Sequence, residues 1–462
     1  MKKHIFFFAF LLLLNLSASA QYTVLHNFND TLGAIPDGTL TKLGNKLFGM
    51  TFTGGAHKDG CVFSINTDGT NYKDLLDFND TNGSEPISSL TIIGTKLFGM
   101  TTEGGVNNEG RIFSIDTNGN NYKDIQDLNY NSGWGPSSSL LLIGSNLYGV
   151  TSGGAANYSG AIFTIDTNGT GYRTIYSFPV YSRVPSFGSL LYSNHKFYGM
   201  LKSGGSSNGS VYSIDTDGNN YKELFIFNDT NGKWPYGSLA ISGQKLYGMT
   251  FYGGLHDSGC VFSIDTNGAN YKDLLNFNGP NGSVPFGDLL ILGNTLVGKA
   301  GRGGANGFGC IFSIDTDGTD YNDLFDFGGS NGAFPNSGPL LFSADKLYGM
   351  TQAGGTDGPG VIFSFTELTL GINTPQTTKG LINLYPNPSN GIFTIQSSAV
   401  SGKSSVEIYN VLGEQVYSTF LNLAEGEDFQ INLSSQPNGV YLYRVSNEAG
   451  SLLGEGKLMI QK

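Results

Sequence analysis

The chain has 462 residues, of which 68 are glycine, 13% are charged and 13% are aromatic, and its formal net charge is −12. This composition is too apolar for a disordered chain, and the length exceeds that of one ordinary domain. Lysine and arginine are scattered without a basic run, which argues against nucleic acid as a partner. Many glycines and aromatics with few helix formers indicate short strands joined by tight turns.

The first 20 residues have the pattern of a signal peptide. Lys2 and Lys3 precede an apolar stretch at 5–14, which is too short to span a bilayer, and Ala18–Ala20 reads Ala-Ser-Ala. We therefore predict cleavage before Gln21 and export, with a retained membrane anchor as the alternative. No later segment has the pattern of a transmembrane anchor.

A repeat follows. A glycine in motifs such as LFGMT recurs at Gly49, Gly99, Gly149, Gly199, Gly248, Gly298 and Gly349, and a proline recurs at Pro36, Pro86, Pro136, Pro185, Pro235, Pro285 and Pro335. Each unit contains four strand-like pieces, a to d, typified by SSLTII, TKLFGMT, GRIFSID and YKDLLDF. Asn-Gly or Asp-Gly between c and d predicts the positive φ angles of a hairpin turn.

The seventh unit lacks strand d, but YTVLHNFND at 22–30 matches YKDLLDFND at 72–80. Seven four-stranded units, the last completed by the first strand, predict an all-β fold: a seven-bladed β-propeller closed by the N-terminal strand. The b–c and d–a loops then lie on one side, which we call the loop face, and the a–b and c–d turns lie on the other.

Three cysteines, Cys61, Cys260 and Cys310, begin strand c in three different units. Packed sheets lie about 10 Å apart, whereas a disulfide needs Cα atoms within about 7 Å. We predict three free thiols that pack as small apolar residues, and a metal site is the alternative.

Two family resemblances accompany these patterns. The repeats at 22–366 resemble the Gly-rich Gloeo_Verruco-type propeller repeats, in motifs of the form LYGMTxxGGxxxxGxIFSIDTDG, and are similar to kelch blades. NLYPNPSNGIFTI at 383–395, VEIYNVLGEQVYS at 406–418, LSSQPNGVYLYRV at 433–445 and the final KLMIQK resemble the type A C-terminal sorting domain of the type IX (Por) secretion system. That resemblance implies a small Ig-like β-sandwich, recognition by the type IX secretion machinery at the outer membrane, export, and usually removal of the domain.

The predicted organisation is a signal peptide at 1–20, a propeller at 21–366, a linker at 367–382 and the sorting domain at 383–462. Alternating strands and the Pro-Asn-Pro and Pro-Asn-Gly turns agree with a small antiparallel sandwich at the C-terminus. An adhesive Ig-like module without a sorting role is the alternative.

Variable loops on a rigid scaffold usually carry recognition, so the loop face is the predicted binding surface. Aromatic rings stack on sugars, and residues that break the repeat are the candidates for specific contacts. The candidate ligand-binding residues are Trp134, Trp234, Phe334, Tyr130, Tyr158, Tyr252, Glu85, Glu103, Lys233 and Arg302. The alternative is that these aromatics fill the gaps between blades.

No catalytic set, metal site or cofactor is predicted. His57 and His256 have no third ligand at a suitable spacing, and DTDGTDYND departs from the EF-hand pattern because its glycine is fourth. The SIDTNG phrase resembles the sialidase Asp-box, which is structural in that family. We expect a secreted or cell-surface binding module for a glycan or surface protein; the alternatives are a carbohydrate-active hydrolase or lyase using Glu85 and Glu103, and a structural adhesion protein.

Overall fold

A computed structural model describes residues 21–179, 183–185, 188–203, 207–336, 338–366, 382–387, 389–397, 402–410, 415–423, 428–447 and 452–462. Within these ranges the protein consists of strands, bridges and turns, and no helix is long and apolar enough to cross a membrane. The chain divides into two compact units near residue 370. The predicted signal peptide and the predicted linker up to residue 381 lie outside the described residues.

The first unit, as far as it is described, contains seven antiparallel sheets, numbered here in chain order. Sheets 1 to 3 contain β2 (Ala34–Leu43), β3 (Lys46–Thr53), β4 (Cys61–Asn66) and β5 (Lys73–Asp77); β6 (Thr91–Ile93), β7 (Lys96–Thr101), β8 (Arg111–Asp116) and β9 (Lys123–Asp127); and β10 (Trp134–Pro136), β11 (Leu141–Ile143), β12 (Asn146–Gly153), β13 (Ala161–Asp166) and β14 (Arg173–Ser177).

Sheets 4 to 6 continue the pattern. They contain β15 (Arg183–Pro185), β16 (Leu191–Ser193), β17 (Lys196–Ser203), β18 (Ser210–Asp215) and β19 (Lys222–Ile226); β20 (Ala240–Ser242), β21 (Lys245–Thr250), β22 (Cys260–Asp265) and β23 (Lys272–Asn276); and β24 (Leu290–Leu292), β25 (Thr295–Ala300), β26 (Cys310–Asp315) and β27 (Asn322–Asp326).

Sheet 7 joins the two ends of the unit. It contains β28 (Leu341–Ser343), β29 (Lys346–Thr351), β30 (Val361–Thr366) and, beside β30, the N-terminal strand β1 (Gln21–Asn27). Tyr22 lies opposite Phe365 in an antiparallel register, and its hydroxyl donates to the carbonyl of Asn331 at 2.6 Å. The segment at 22–28 therefore occupies the strand-d position that the sequence predicts for it.

The recurring glycine of strand b makes room for an aromatic ring of strand c. A Cβ atom built on Gly99 would lie 2.6 Å from Cζ of Phe113, and one on Gly49 would lie 2.5 Å from Cζ of Phe63. Such a distance is a steric overlap, so only glycine lets the ring cross the neighbouring strand. The same contact recurs in all seven sheets.

The recurring proline meets a second recurring glycine across consecutive sheets. A Cβ atom on Gly60 of sheet 1 would lie 2.9 Å from Cδ of Pro86, which precedes strand a of sheet 2. Gly360 of sheet 7 has the same relation to Pro36 of sheet 1, again at 2.9 Å. The repeated residues are therefore contact partners between neighbours, including the last sheet and the first.

The apolar core lies between consecutive sheets. Phe48, Met50 and Phe78 of the first repeat pack with Leu97 and Phe113 of sheet 2. An equivalent cluster joins Tyr348 and Ile362 of sheet 7 to Phe28, Leu47 and Phe63. Complete burial of each such side chain contributes about 1.5–3 kcal/mol, so the stability of this unit depends on contacts between neighbours.

The c–d hairpin has the predicted positive φ angle at its glycine but not at the residue before it. Gly119 has φ 87° and donates its N–H to the carbonyl of Asp116 at 2.8 Å, but Asn118 has no positive φ. The second positive φ, 53°, falls on Asn121. The loop is therefore longer than a two-residue hairpin, since Asp116 also donates to the carbonyl of Asn120 at 2.9 Å.

The cysteine prediction is confirmed: Cys61, Cys260 and Cys310 are free and buried. Burial is the main cause that raises the pKa of Cys61 and of Cys260 to about 12, so the reactive thiolate is suppressed. Sγ of Cys61 lies 3.2 Å from Oγ1 of Thr51, a local hydrogen-bond contact. These thiols are parts of the core.

The second unit is a sandwich of two sheets. One sheet has the order β31-β32-β35 and the other β34-β33-β36-β37, with strands β31 (Ile382–Tyr385), β32 (Ile392–Ser397), β33 (Gly402–Asn410), β34 (Gln415–Leu423), β35 (Asp428–Asn432), β36 (Gly439–Asn447) and β37 (Leu452–Ile460). Phe393 and Ile431 of the first sheet share a buried cluster with Val406, Val445 and Leu458 of the second. This small core agrees with the antiparallel sandwich expected from the sequence.

Candidate functional site

A cavity of about 640 Å³ opens among the b–c and d–a segments of the seven sheets. We call it the shared cavity, because every sheet contributes to its wall. Its lining includes Ile35, Asp37, Thr39, Phe52, Ser88, Ser89, Glu103, Glu109, Trp134, Ser137, Ser139, Ser152, Ser189, Tyr236, Ser238, Phe286, Asp288, Asn336 and Gln352. Its size is in the range of small-ligand sites.

A hydrogen-bond ladder at one repeated position builds the wall. In each case the backbone N–H of one sheet donates to the side-chain oxygen at the equivalent position of the next sheet. The bonds run from Thr39 to Ser89 (2.7 Å), Ser89 to Ser139 (2.9 Å), Ser139 to Ser189 (3.0 Å), Ser189 to Ser238 (2.8 Å) and Ser238 to Asp288. In sheet 7 the residue before the recurring leucine is Pro339, which has no N–H to donate.

The residues before the recurring prolines hold a left-handed backbone that non-glycine side chains rarely adopt. The φ angle is 52° at Ile35, 56° at Glu85, 55° at Trp234, 45° at Val284 and 55° at Phe334. Each of these residues donates its N–H to a carbonyl in the b–c loop of the preceding sheet, such as Asp59 for Glu85 and Pro359 for Ile35. A repeated hydrogen bond thus holds the strained backbone, while the side chain at this position varies among these five residues.

Two predicted site residues, Trp134 and Glu103, line the shared cavity. The indole of Trp134 covers Gly153, on which a Cβ atom would lie 2.2 Å from Cζ2 of the ring. Glu103 is held by paired backbone hydrogen bonds with Ser84, at 3.0 and 3.2 Å. These two are the members of the predicted set that contribute to the cavity wall.

The structure places the other eight predicted residues outside this lining, in separate clusters. The rings of Tyr130 and Tyr158 are 5.2 Å apart. Trp234 packs edge-on against Tyr252 at 5.6 Å, and Lys233 lies over the Tyr252 ring at 5.9 Å while pairing with Asp229 and Asp257. Arg302 lies over Phe334 at 5.6 Å. Burial, then Glu103 and Asp59, raises the pKa of Glu85.

A buried charged cluster that sequence analysis missed lies beside the cavity. Lys299 is 2% exposed and occupies the strand-b position that is Met50, Met100 or Met249 in other repeats. Burial lowers its pKa to about 8, and the charges of Asp288 and Asp37 oppose that shift. The signal in the sequence was a lysine in a strand where the repeat has methionine.

The two carboxyl groups of this cluster, those of Asp37 and Asp288, line the cavity. Their pKa values are raised, whereas that of Lys299 is lowered. Burial raises the pKa of Asp37 to about 7, against the N–H of Gly38, the charge of Lys299 and the amide of Gln352. Burial likewise raises the pKa of Asp288. Asp37 lies at a position that varies between the sheets, and Asp288 replaces a ladder serine in sheet 6.

An amide relay connects sheets 7 and 1 along the wall. Nδ2 of Asn336 donates to Oε1 of Gln352 at 3.1 Å, and Nε2 of Gln352 donates to Oδ2 of Asp37 at 3.1 Å. Asp37 also accepts the N–H of Gly38 at 2.7 Å. The Asp37 carboxyl is therefore held in one orientation toward the cavity.

Two hydroxyl groups in the wall have no hydrogen-bond partner among the described residues. These are Oγ of Ser88 and Oγ of Ser137, whose side chains are 4% and 1% exposed. A buried hydroxyl without a partner costs free energy, about 1–3 kcal/mol. Each of these groups therefore has unused hydrogen-bonding capacity in the wall of the cavity.

Aromatic rings cover another part of the wall. Tyr236 and Phe286 stack at 4.7 Å with their planes 22° apart, and Phe251 packs edge-on against Tyr236 at 5.0 Å. The ammonium group of Lys202 lies 4.6 Å from the centroid of the Tyr236 ring. The cavity thus combines apolar ring faces, hydroxyls and carboxyl groups.

The possible metal ligands found in the described part of the chain lie elsewhere. Ligand atoms of Cys310, Asp323 and Asp326 lie within 4.8 Å of one another, on β26 and β27. In the equivalent place of sheet 2, Arg111 pairs with Asp124 at 3.1 Å and with Asp127. Neither His57 nor His256 belongs to this group.

The fold and its repeats define an all-β repeat protein made of four- and five-stranded antiparallel sheets, followed by a separate β-sandwich. The Gloeobacter/Verrucomicrobia repeat family matches residues 13–208 and 144–304, more than half of the chain, so the chain belongs to this family. The secretion system C-terminal sorting domain matches residues 383–461. Both resemblances are confirmed, and the sorting domain indicates export by the type IX system to the cell surface or the medium.

Solved structures similar to this chain are distant. PorZ, a surface component of the type IX secretion system of Porphyromonas gingivalis, is 15% identical with a TM-score of 0.46, over 92% of this chain and 60% of its own. A fungal alcohol oxidase of the AA5 family in complex with copper is 11% identical with a TM-score of 0.49, over 96% and 99%. The polysaccharide lyase Uly1 is 11% identical with a TM-score of 0.45, over 73% and 91%. No curated protein matches the chain.

Proposed function

We propose that the first unit is a closed seven-bladed β-propeller and that each sheet is one blade. The support is a cyclic series of contacts between consecutive sheets. Six of the recurring prolines lie against a glycine of the preceding sheet, and among them Pro36 of sheet 1 lies against Gly360 of sheet 7. β1 completes sheet 7 by pairing with β30. Under this proposal the domains are a signal peptide at 1–20, the propeller at 21–366, a linker at 367–382 and the sorting domain at 383–462.

The proposed biological role is that of an exported module that binds a glycan or another surface component through the loop face. The observation that carries this role is the shared cavity, in which the unpartnered hydroxyls of Ser88 and Ser137 lie with the ring of Trp134 among carboxyl groups. Rings stack on sugar faces, and hydroxyls and carboxylates bond sugar hydroxyls. The sorting domain would deliver this module outside the cell, and its partner there is the type IX machinery.

The test is glycan-array binding followed by calorimetry on the full chain. Trp134→Ala is expected to weaken binding by roughly tenfold or more, since a stacked ring contributes about 1–3 kcal/mol. Tyr192→Ala is the matched control, because Tyr192 is also an aromatic with 37% exposure but lies outside the cavity lining. Unchanged binding in Trp134→Ala would reject the cavity as the site, and absence of glycan binding by the parent protein would reject the glycan as the ligand.

A glycosidase is the second candidate, favoured by one observation. The charge of Glu103 contributes to the raised pKa of Glu85, so the two carboxyl groups are close enough to interact. A carboxyl group with a raised pKa suits a general acid, and glycoside hydrolysis needs a second carboxyl group nearby. Reducing-sugar release that is abolished by both Glu85→Gln and Glu103→Gln would establish this activity; release that survives either variant excludes the pair.

A further inference from the structure

The wall of the shared cavity contributed by sheets 2 and 3 has a different charge balance from the wall near sheets 6 and 1. Near sheets 6 and 1, Lys299 provides a cation for Asp37 and Asp288. Near sheets 2 and 3, Glu103 and Glu109 line the cavity, and no lysine, arginine or histidine does so. No ion pair or side-chain hydrogen bond of the described residues involves either of these glutamate carboxylates.

The two unpartnered hydroxyls belong to the same wall. Ser88 precedes β6 in sheet 2, and Ser137 follows β10 in sheet 3, one residue after the recurring proline. Both Oγ atoms are buried and both side chains line the cavity. Trp134 begins β10, and the N–H of the next residue, Gly135, donates to the carbonyl of Glu109 at 3.0 Å. The ring, the hydroxyls and the carboxylates are thus tied to one pair of neighbouring sheets.

We propose that this wall, Ser88, Glu103, Glu109, Trp134 and Ser137, is a subsite for a sugar that carries a protonated amine, such as a hexosamine without an N-acetyl group. The inference rests on the proposed glycan-binding role and specifies its ligand class. The indole covers the apolar face of the sugar ring, the serine hydroxyls bond its hydroxyls, and the glutamates pair with its ammonium group.

The same arrangement selects against acidic sugars. A uronic acid would bring its carboxylate against Glu103 and Glu109 with no cation in the lining to compensate. Like charges at close range in a partly desolvated site are unfavourable, and the protein as a whole carries a net charge of −12. A neutral sugar keeps the stacking and the serine bonds but lacks the ionic contact.

The experiment compares β-1,4-linked tetramers of glucosamine, glucose and glucuronic acid by calorimetry against the full chain. The glucosamine tetramer is expected to bind roughly tenfold more tightly than the glucose tetramer, and the glucuronic acid tetramer most weakly. The preference for the amine is expected to shrink as salt is raised, because it is ionic. Equal or tighter binding of the glucose tetramer overturns the inference.

Variants separate this inference from the proposed function. The double variant Glu103→Gln, Glu109→Gln is expected to abolish the amine preference, so that the glucosamine and glucose tetramers bind equally. Glu223→Gln on β19, outside the lining, is the control and is expected to keep the preference. Binding that depends on Trp134 but shows no amine preference keeps the proposed function and rejects the subsite. No binding by any of the three tetramers rejects the subsite, while the glycan array decides the proposed function.

The serine variants give a readout that a purely structural role would not produce. Ser88→Ala and Ser137→Ala remove buried hydroxyls without a partner, so the melting temperature of each variant is expected to be equal to or above that of the parent protein. Affinity for the glucosamine and the glucose tetramers is expected to fall several-fold in both variants. A lower melting temperature with unchanged affinity would show that these hydroxyls serve the fold and would overturn their assignment to the subsite.

Discussion

The two ends of the seven sheets differ in how strictly they follow the repeat. At the c–d turns the same bonds recur: Lys73 donates to the carbonyl of Asn118 at 2.9 Å, and Lys123 to that of Asn168 at 3.0 Å. On the loop face the backbone bonds recur, but the side chains before the proline are isoleucine, glutamate, tryptophan, valine or phenylalanine. Repetition therefore marks the scaffold, and departure from it at a fixed backbone position marks the place where a site can develop.

The buried departures should have the largest effect on folding. Lys299→Met restores the residue found in most repeats but leaves Asp37 and Asp288 without their nearby cation. We expect a loss of about 3–5 kcal/mol in the free energy of unfolding, measured by urea denaturation. Lys245→Met, which removes an exposed pair with Asp265, is the control and should lose less than about 1 kcal/mol. Equal losses in the two variants would show that burial of Lys299 does not increase its contribution to stability.

The next largest effect on the free energy of unfolding is expected from a change at the recurring glycine of strand b. Gly99→Ala would force the ring of Phe113 away, because the added Cβ lies 2.6 Å from Cζ. We expect a loss of about 1–3 kcal/mol in the same measurement. Gly328→Ala is the matched control: its nearest neighbouring atom would lie 3.7 Å away, so its effect should stay within about 0.5 kcal/mol. A tolerated Gly99→Ala would contradict the steric account of the repeat.

The buried cluster of Lys299, Asp37 and Asp288 should also make the free energy of unfolding depend on pH. The pKa of Asp37 is raised from 3.8 to about 7, so its contribution is fully present below about pH 4 and is lost as the pH rises through about 7. The pKa of Lys299 is lowered from 10.5 to about 8, so its contribution is present above about 10.5 and is lost as the pH falls through about 8. Asp37→Asn should flatten the decline between pH 4 and 7 in denaturation series; an unchanged profile would exclude Asp37 as its source.

The smallest effect is expected at the turns of the repeat. Lys96 pairs with Asp116 at 2.8 Å, but the lysine side chain is 47% exposed. Exposed pairs contribute about 0–1 kcal/mol, so Lys96→Met should change the free energy of unfolding by less than that. Raising the salt concentration should reduce even this difference. A loss above about 1 kcal/mol would contradict the expectation that exposed ion pairs at the turns contribute little to stability.

Local features of the sequence were sufficient for much of the secondary structure. Strands b and c of sheet 2 were predicted as TKLFGMT and GRIFSID, and the structure has them at Lys96–Thr101 and Arg111–Asp116. The buried state of Cys61 was also predictable, because its place in the repeat put it at the start of an apolar strand. The positive φ angle expected beside Gly119 was wrong, since the second positive φ falls on Asn121.

The candidate site was predictable only to the level of a face. Trp134 was selected as an aromatic in a loop, and Glu103 as a loop residue that breaks the repeat. Both line the cavity, but the first criterion also selected Trp234 and Tyr252, which pack on each other outside the cavity lining. Lys299 was missed because the search for departures was confined to loops, whereas this lysine replaces methionine within a strand. Ser88 and Ser137 carry no sequence signal, because serine is frequent in these segments, as at 88–89 and 137–139.

The sequence alone determined the period, the order of the four strands in each unit and the sorting domain, because each depends on residues close together in the chain and on patterns that recur. Tertiary structure decided which of the loop residues meet in one cavity, because those side chains lie on segments about 50 residues apart, as Thr39 and Ser89 do. It also decided the pKa values of Asp37 in the wall and of Lys299 beside it. Burial shifts both pKa values and the charge of the partner opposes each shift, and neither burial nor the distance between these two residues can be read from a linear sequence.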